Sequence, residues 1–276
     1  MVQRTWFITG VSSGFGRHLA EQLLGRGDRV AGTVRRDGAV DDLVAEHGDR
    51  LRLHHLDLTD LPAVRPVVDS AFAEFGRIDV IVNNAGYAVF GAAEEATDEQ
   101  VVHQITTNLL GSAQVVRAAL PHLRAQGGGR FVQLSTYGGQ ATNAGGSLYH
   151  AGKWGIEGFM EAVAKEVEPF GIGVTIVEPG GARTDFRYGG LTLATPMAAY
   201  DSTPAAMVRG IQDRSRPSLG DPAKMAELII ASVDETPAPL RLVLGSDSYR
   251  IITTALRDRL AQIEPQEERA ASTDWR

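Results

Sequence analysis

The sequence predicts an α/β domain with a doubly wound, parallel sheet of about seven strands and helices on both faces. Short apolar runs alternate with longer helical patterns along most of the chain, an arrangement typical of parallel sheets. A glycine-rich turn follows the first apolar run and leads directly into a helical pattern. No low-complexity linker divides the 276 residues, so we expect a single domain over residues 1–276.

The strands and helices follow from the period of the apolar residues. Seven apolar runs of strand length lie at residues 5–9, 29–34, 51–56, 80–83, 130–134, 173–177 and 240–244. Helical patterns occupy residues 15–26, 38–47, 61–75, 98–125, 147–168 and 221–233. The stretch 184–218, rich in Pro, Gly, Thr and Ala, predicts a long substrate loop. The charged segment 264–276 predicts a flexible tail.

Composition excludes several classes of site and partner. The absence of cysteine excludes disulfides and thiolate metal ligation, and the seven histidines show no metal-binding spacing, so we expect no metal. A net charge of −7 argues against nucleic-acid binding. No run of eighteen apolar residues indicates a membrane span, and the chain begins without a separate apolar signal segment. A cytoplasmic location is therefore expected.

The first apolar run and the turn after it read WFITGVSSGFG. Strand, glycine-rich turn and helix in this order place free N–H groups and the positive end of a helix dipole beside the loop, which suits a pyrophosphate. Gly10 permits a tight turn, Gly14 allows close approach of a ligand, and Gly16 allows helix and strand to pack closely. The cofactor-binding residues predicted in this loop are Gly10, Ser12, Ser13, Gly14, Phe15 and Gly16.

A second interpretation of the same loop remains open. Residues 10–14 match Gly-x-Ser-x-Gly, the turn that carries the nucleophile of α/β-hydrolases, with Ser12 as the nucleophile. That enzyme class also needs an oxyanion-hole loop from an earlier strand, and only nine residues precede Gly10. A serine hydrolase is therefore the minor alternative.

The end of the second predicted strand indicates which nucleotide binds. Arg35 and Arg36 stand where an acidic residue would bind the ribose 2′-hydroxyl of NAD. Arginine can instead bind a 2′-phosphate through charge-assisted hydrogen bonds, and Ser13 can add a hydroxyl donor. We therefore expect NADP(H) as the preferred cofactor, with NAD(H) possible because Asp37 follows directly.

Taken together, the motifs between Thr9 and Thr184 resemble those of the short-chain dehydrogenase/reductase family, whose fold is Rossmann-like. The similar segments are TGVSSGFG, HLDLT, NNAG, TTNLLG, YHAGK and EPGGART, in this order. The resemblance implies a homodimer or homotetramer paired through the helices at 98–125 and 147–168. It also implies a small-molecule carbonyl or alcohol substrate. The further cofactor-binding residues that it implies are Asp57, Leu58, Asn84, Ala85, Gly86, Tyr149, Lys153, Pro179, Gly180 and Thr184.

The resemblance also implies individual roles. Asp57 would bond the adenine, and Thr184 the nicotinamide amide. Asn108 would be catalytic and would anchor a water that links Lys153 to solvent. Lys153 would hold the nicotinamide ribose.

Tyr149 and Lys153 lie four residues apart in a predicted helix and therefore share one face. A free phenol has a pKa near 10, and a nearby ammonium lowers it, so we expect a lowered Tyr149 pKa. Tyr149 would then exchange a proton with a carbonyl or alcohol oxygen as a general acid/base. A nucleotide-sensing binding protein that keeps the fold without turnover is the alternative.

Two adjacent hydroxyl residues compete for the role of orienting the substrate oxygen. Thr136 lies thirteen residues before Tyr149, the spacing usual for the catalytic serine of the family, and Ser135 lies one residue earlier. Adjacent strand residues point to opposite faces, so one of the two is expected to reach the substrate. The spacing favours Thr136, and Ser135 remains a candidate. His150 is expected on the helix surface.

Overall fold

The computed structural model describes residues 3–215 and 217–275. Residues 1–2, 216 and 276, which belong to the predicted domain, loop and tail, lie outside the described residues. The strands are β1 Thr5–Ile8, β2 Arg29–Val34, β3 Leu51–His55, β4 Val80–Asn83, β5 Ala88–Phe90, β6 Gly129–Leu134, β7 Ile172–Pro179, β8 Leu191–Leu193 and β9 Arg241–Leu244. The helices are α1 Gly14–Gly25, α2 Asp41–His47, α3 Leu61–Phe75, α4 Asp98–Ile105, α5 Ser112–Ala125, α6 Ser147–Val167, α7 Phe186–Gly189, α8 Pro222–Ser232, α9 Ser246–Ile263 and α10 Glu267–Ala271.

The main sheet has seven parallel strands in the order β3-β2-β1-β4-β6-β7-β9, which confirms the predicted fold class. The chain runs outward from β1 to β3 and then returns to the other side of β1 with β4. In sheets of this kind, ligands bind beyond the carboxyl ends of the strands, where the order reverses.

Helices cover both faces of this sheet, and each face has its own apolar core. On one face, Trp6 and Ile8 of β1 pack in a cluster with side chains of α1 and α8. On the other face, Phe7 packs in a cluster with side chains of α3, α5 and α6. Because successive residues of β1 are buried on opposite faces, the strand reads as a continuous apolar run.

Three elements differ from the sequence prediction. The helix expected over 98–125 is interrupted by a π-helical segment, Thr106–Gly111. The long helix α9 was not predicted because only Ser248 and Ile252 of it are buried, which leaves little apolar periodicity. The parallel pair β5–β8 joins strands of three residues, which are too short to show a period.

The predicted substrate loop lies over the carboxyl edge of the sheet and contains α7, β8 and two 3-10 helices, Ala198–Tyr200 and Pro204–Gly210. Arg209 ties this segment to the body, since its Nη2 lies 2.9 Å from the buried carboxylate of Glu95. The tail forms a 3-10 turn and α10, all exposed; its flexibility stays a prediction. Among the described residues, no helix has the length and apolarity needed to cross a bilayer.

Candidate active site

A cleft of about 1320 Å³ opens at the carboxyl ends of β1, β2, β3, β4, β6 and β7. Most of the residues predicted from sequence line it. They are Gly10, Ser12, Ser13, Gly14, Phe15, Arg35, Asp57, Leu58, Asn84, Ala85, Gly86, Ser135, Thr136, Tyr149, Lys153, Pro179, Gly180 and Thr184. Three predicted residues, Gly16, Arg36 and Asn108, are not among its lining residues.

The glycine loop has the backbone that the sequence analysis expects. Gly10 and Gly14 have φ of +72° and +56°, a region that favours glycine. A Cβ on Gly16 would lie 2.1 Å from the Gly10 carbonyl oxygen and 2.4 Å from Asn84 Nδ2. Gly16 therefore allows close packing behind the loop and does not itself face the cleft.

Asn84 fixes this loop to the segment after β4. Its Nδ2 donates to the carbonyl oxygens of Thr9 and Gly10, each at 2.9 Å. Ser13, at the start of α1, makes no side-chain capping bond. The Ser13 side chain therefore does not cap the first N–H groups of α1, which lie beside the cleft. A pyrophosphate site requires N–H groups of this kind.

The two arginines after β2 are not equivalent. Arg35 lines the cleft, whereas Arg36 is exposed outside it. Asp37 is not among the lining residues of the cleft, and its Oδ1 lies 2.7 Å from His55 Nε2. Burial acts to raise the pKa of Asp57, but hydrogen bonds from Thr59 and the nearby Arg35 hold this pKa below its usual range.

The two hydroxyl residues at the end of β6 contact different parts of the structure. The Thr136 hydroxyl lies near the Tyr149 phenol and donates a hydrogen bond to the Pro179 carbonyl oxygen at 3.3 Å. The Ser135 hydroxyl donates to the buried carboxylate of Glu157. The geometry therefore places Thr136 beside the phenol and engages Ser135 elsewhere.

The expectation that Lys153 lowers the Tyr149 pKa is wrong for this structure. Although part of the Tyr149 side chain faces the cleft, burial raises the pKa of its phenol well above the ordinary value. The Tyr137 phenol adds to the rise, and the nearby Thr136 hydroxyl opposes it. Burial also lowers the pKa of Lys153 to about 8, against the opposing charge of Glu157.

Asn108 lies in the π-helical segment behind the cleft and is 1% exposed. Its Oδ1 accepts from the Tyr87 N–H at 2.9 Å, and its Nδ2 donates to the Tyr87 carbonyl oxygen at 2.6 Å. Both ends of the amide are thus used to hold the backbone that follows NNAG. The expected role of Asn108, anchoring a water that links Lys153 to solvent, stays a prediction.

Two residues of the site region were missed or misplaced. His150 is buried, not on the surface: its Nδ1 lies 2.9 Å from the Gly138 carbonyl oxygen and its Nε2 accepts from Asn143 N–H at 3.1 Å. Glu157, which is 3% exposed, was not predicted as a site residue. Its signal in the sequence is the continued four-residue spacing after Tyr149 and Lys153.

The hydrolase interpretation finds no support in the geometry. A serine nucleophile needs a histidine within hydrogen-bond reach as its base. The two histidines that line the cleft have other contacts, since His150 bonds backbone groups and the ring of His103 packs edge-on against Tyr87. Neither is hydrogen-bonded to Ser12 within the part of the chain that the structure describes.

Comparisons with known proteins agree with this fold. A model of the family described as short chain dehydrogenase matches residues 4–189. An oxidoreductase of Botryotinia fuckeliana is 38% identical over 246 residues, covering 89% of this chain and 90% of that protein. The crystal structure of a short-chain dehydrogenase from Streptomyces avermitilis is 40% identical, with a TM-score of 0.91 over 99% of this chain and 98% of its own.

A more distant structure, a short chain dehydrogenase/reductase from Burkholderia phymatum in complex with NAD, is 21% identical, with a TM-score of 0.81 over 96% and 95% of the two chains. At this identity the likeness extends to the fold alone. The chain belongs to the short-chain dehydrogenase family. It is therefore an oxidoreductase of that family.

Proposed function

We propose that the protein is an NADP(H)-dependent oxidoreductase that interconverts a carbonyl and a secondary alcohol, with Tyr149 as general acid/base. One observation carries the proposal: a single cleft contains the glycine loop and Arg35 as well as Tyr149, Lys153 and Thr136. A nucleotide bound at the glycine loop and Arg35 would extend toward Tyr149. The proposal for NADP(H) rests on Arg35 in the cleft lining and on Asp37 outside it.

The residues of the cleft fit a nicotinamide dinucleotide. The uncapped start of α1 and the loop from Gly10 to Phe15 suit the pyrophosphate, Arg35 a 2′-phosphate, and Asp57 the adenine. Pro179, Gly180 and Thr184 lie at the end of β7 near Tyr149, where the nicotinamide would be held. When bound, the cofactor supplies or accepts the hydride.

The proton chemistry belongs to the protein. A phenol with a raised pKa stays protonated at neutral pH, so Tyr149 is ready to donate to a carbonyl oxygen. An oxygen that is becoming an alkoxide is a stronger base than phenolate, so the transfer remains favourable as reduction proceeds. Thr136, which lines the same cleft, would orient the same oxygen. Reduction is thus the direction that the protonation state of Tyr149 favours.

Lys153 and Asn108 act beside this transfer. The Lys153 ammonium donates to the Leu134 carbonyl oxygen at 2.8 Å and is available to a nicotinamide ribose in the same cleft. Asn108 holds the Tyr87 backbone from behind, so its contribution is to shape the wall of the site.

The walls around Tyr149 indicate the substrate class. The ring of Phe90 lies 5.3 Å and that of Phe186 6.4 Å from the Tyr149 ring, centroid to centroid. Leu191 and Val208 also line the cleft, while Asn143 adds an amide beside Tyr137. These contacts suit a medium-sized, largely apolar ketone, aldehyde or secondary alcohol with few charged groups.

The assembly is proposed to be a homodimer or homotetramer. Val102 of α4, Leu110 of the π-helical segment and Trp154 of α6 are apolar and exposed to 64%, 45% and 38%. They belong to the helical segments through which pairing was expected. Sedimentation analysis would measure the oligomeric state.

The test of the proposal is to follow nicotinamide absorbance while a panel of apolar ketones and aldehydes is offered with NADPH and, separately, with NADH. We expect consumption of NADPH to exceed that of NADH. Binding of NADPH without turnover across the panel would contradict the proposal and favour a nucleotide sensor. Labelling of Ser12 by a fluorophosphonate, abolished in Ser12→Ala, would favour a hydrolase instead.

A further inference from the structure

Consecutive residues at the end of β6 contact residues of α6 that are four positions apart. Lys153 Nζ donates to the Leu134 carbonyl oxygen at 2.8 Å. The Ser135 hydroxyl donates to the Glu157 carboxylate. The hydroxyl of the next residue, Thr136, lies near the Tyr149 phenol. The three residues of α6 form one face of the helix, and the two hydrogen bonds fix its register against β6.

Glu157 is held on its other side by a buried charge cluster. Its Oε2 accepts from Arg241 Nη1 at 2.7 Å, and the same guanidinium also binds Glu161 and Glu178. Glu178 is fully buried, and its Oε1 accepts from Gln140 Nε2 at 2.7 Å. Arg241 of β9 therefore binds the Glu157 carboxylate directly, while Glu178 of β7 and Gln140 extend the same network.

The turn after β6 packs directly on Glu157. A Cβ placed on Gly139 would lie 1.8 Å from Glu157 Oε1, so only glycine fits over the carboxylate. This turn, Tyr137–Gly139, begins with the tyrosine that lines the cleft beside Tyr149. Movement of the carboxylate would displace the turn and, with it, one wall of the site.

We propose that Glu157 is a positioning residue of the reaction: it holds Ser135 so that Thr136 meets Tyr149, and its negative charge keeps Lys153 protonated. Ser135 is then a link in the scaffold, and Thr136 alone acts on the substrate oxygen. The inference rests on the proposed function for its kinetic consequences, but its electrostatic consequence for Lys153 does not.

The charge relation between Glu157 and Lys153 is supported by their surroundings. Lys153 is 5% exposed, and burial lowers its pKa to about 8 while Glu157 acts to raise it. Burial also raises the pKa of Glu157, against its bonds with Arg241 and Ser135 and with the help of Glu178. The other ionisable groups that face this region are Tyr137, Tyr149, Glu161, Glu178 and Arg241.

The first test compares Glu157→Gln with a control variant, Glu161→Gln. The control makes the same chemical change one helical turn further along α6 and leaves the contact between Glu157 and Arg241 in place. We expect Glu157→Gln to lower kcat roughly tenfold with a smaller change in KM, because the site is misaligned after substrate binds. The pH at which activity falls on the alkaline side should decrease by about one unit. Glu161→Gln should leave both unchanged.

The second test reads the protonation of Lys153 without any turnover. The chain contains three lysines, so protein labelled with 13C and 15N in lysine gives three side-chain signals, assigned with Lys165→Arg and Lys224→Arg. We expect the Lys153 signal to titrate below the ordinary lysine value of 10.5, and to titrate at still lower pH in Glu157→Gln. A folded Glu157→Gln with an unchanged Lys153 titration would overturn the proposal.

Ser135→Ala tests whether the bond between Glu157 and Ser135 positions Thr136, in a protein that keeps the negative charge of Glu157. We expect a smaller loss of kcat than in Thr136→Ala and an unchanged Lys153 titration. A loss as large as that of Thr136→Ala would refute the assignment of Ser135 to the scaffold.

If the wild-type protein reduces no carbonyl, the proposed function fails, while the lysine titration still decides the relation between Glu157 and Lys153. Should Glu157→Gln not fold, Ser135→Ala and the wild-type titration still test both parts, since a Lys153 signal that titrates at the ordinary lysine value of 10.5 would contradict the charge relation.

Discussion

Lys153 Nζ lies 5.9 Å from the ring centroid of Tyr149 and is directed at the Leu134 carbonyl oxygen, 2.8 Å away. The two residues share one cleft, yet the ammonium does not make the phenol acidic. Burial dominates both groups, raising the pKa of Tyr149 and lowering that of Lys153. A neutral phenol beside a readily deprotonated ammonium suits donation of a proton to a carbonyl oxygen, and several measurable consequences depend on this protonation state.

The pH dependence of reduction should follow Lys153. Because its pKa is lowered to about 8, the ammonium is lost as pH rises through that value, and kcat/KM for carbonyl reduction should fall there. A profile of kcat/KM against pH, with the stability of the enzyme checked at each pH, measures this. Activity that stays constant up to the ordinary lysine pKa of 10.5 would show that the charge on Lys153 is not needed.

The same lowered pKa has the opposite effect on folding stability. Folding disfavours the charged form of Lys153, so this group destabilises the native state below about pH 8 and ceases to do so as pH rises toward 10.5. Lys153→Met should therefore stabilise the fold at neutral pH while it removes activity. Thermal unfolding of the variant and the wild type, at neutral and alkaline pH, compares the two, and a Met variant less stable than wild type at neutral pH would contradict the direction.

Cofactor preference should depend on Arg35 and not on Arg36. Loss of the charge-assisted contacts with a 2′-phosphate should weaken NADPH binding by about ten- to a hundredfold in Arg35→Ala and leave NADH binding nearly unchanged. Arg36→Ala is the matched control, because this neighbour is exposed outside the cleft. Dissociation constants from intrinsic fluorescence measure both. Equal losses for NADPH and NADH in Arg35→Ala would contradict a 2′-phosphate site.

The packing role of Gly16 predicts a structural effect with a consequence for binding. A methyl group at Gly16 would collide with the Gly10 carbonyl oxygen, so Gly16→Ala should lower the free energy of unfolding by about 1–3 kcal/mol and weaken cofactor binding. Gly158, exposed on α6 with open space around it, is the control: Gly158→Ala should be neutral or stabilise by up to about 1 kcal/mol. Denaturant unfolding measures both changes, and equal effects would disprove the packing argument.

The sequence predicted the seven strands of the main sheet because most of them are short runs of residues buried on both faces, with little dependence on distant contacts. Tyr149 and Lys153 were also accessible, since their relation is a spacing within one helix. The spacing to Tyr149 favoured Thr136 over Ser135. The partner of Ser135, Glu157, could not be predicted without knowing the register between β6 and α6. No local pattern shows that register.

Other features depend on three-dimensional surroundings that the sequence does not display. The pKa of Tyr149 follows from its burial and from where the Lys153 ammonium points, and neither is encoded in a four-residue spacing. The position of Asn108 behind the cleft follows from a π-helical segment that no propensity indicates. Glu157 could have been found, because it continues the spacing of Tyr149 and Lys153, but its partner Arg241 lies 84 residues further along the chain.

The proposed reaction depends most on the phenol of Tyr149, and Tyr149→Phe tests this dependence directly, with Tyr249→Phe on the exposed face of α9 as the matched control. NADPH binding and single-turnover reduction of a substrate found in the panel should be measured for both variants. We expect Tyr149→Phe to bind NADPH as the wild type does and to reduce the substrate about 10²–10⁴-fold more slowly. A Tyr149→Phe protein that reduces it at a rate close to that of Tyr249→Phe would contradict the central claim.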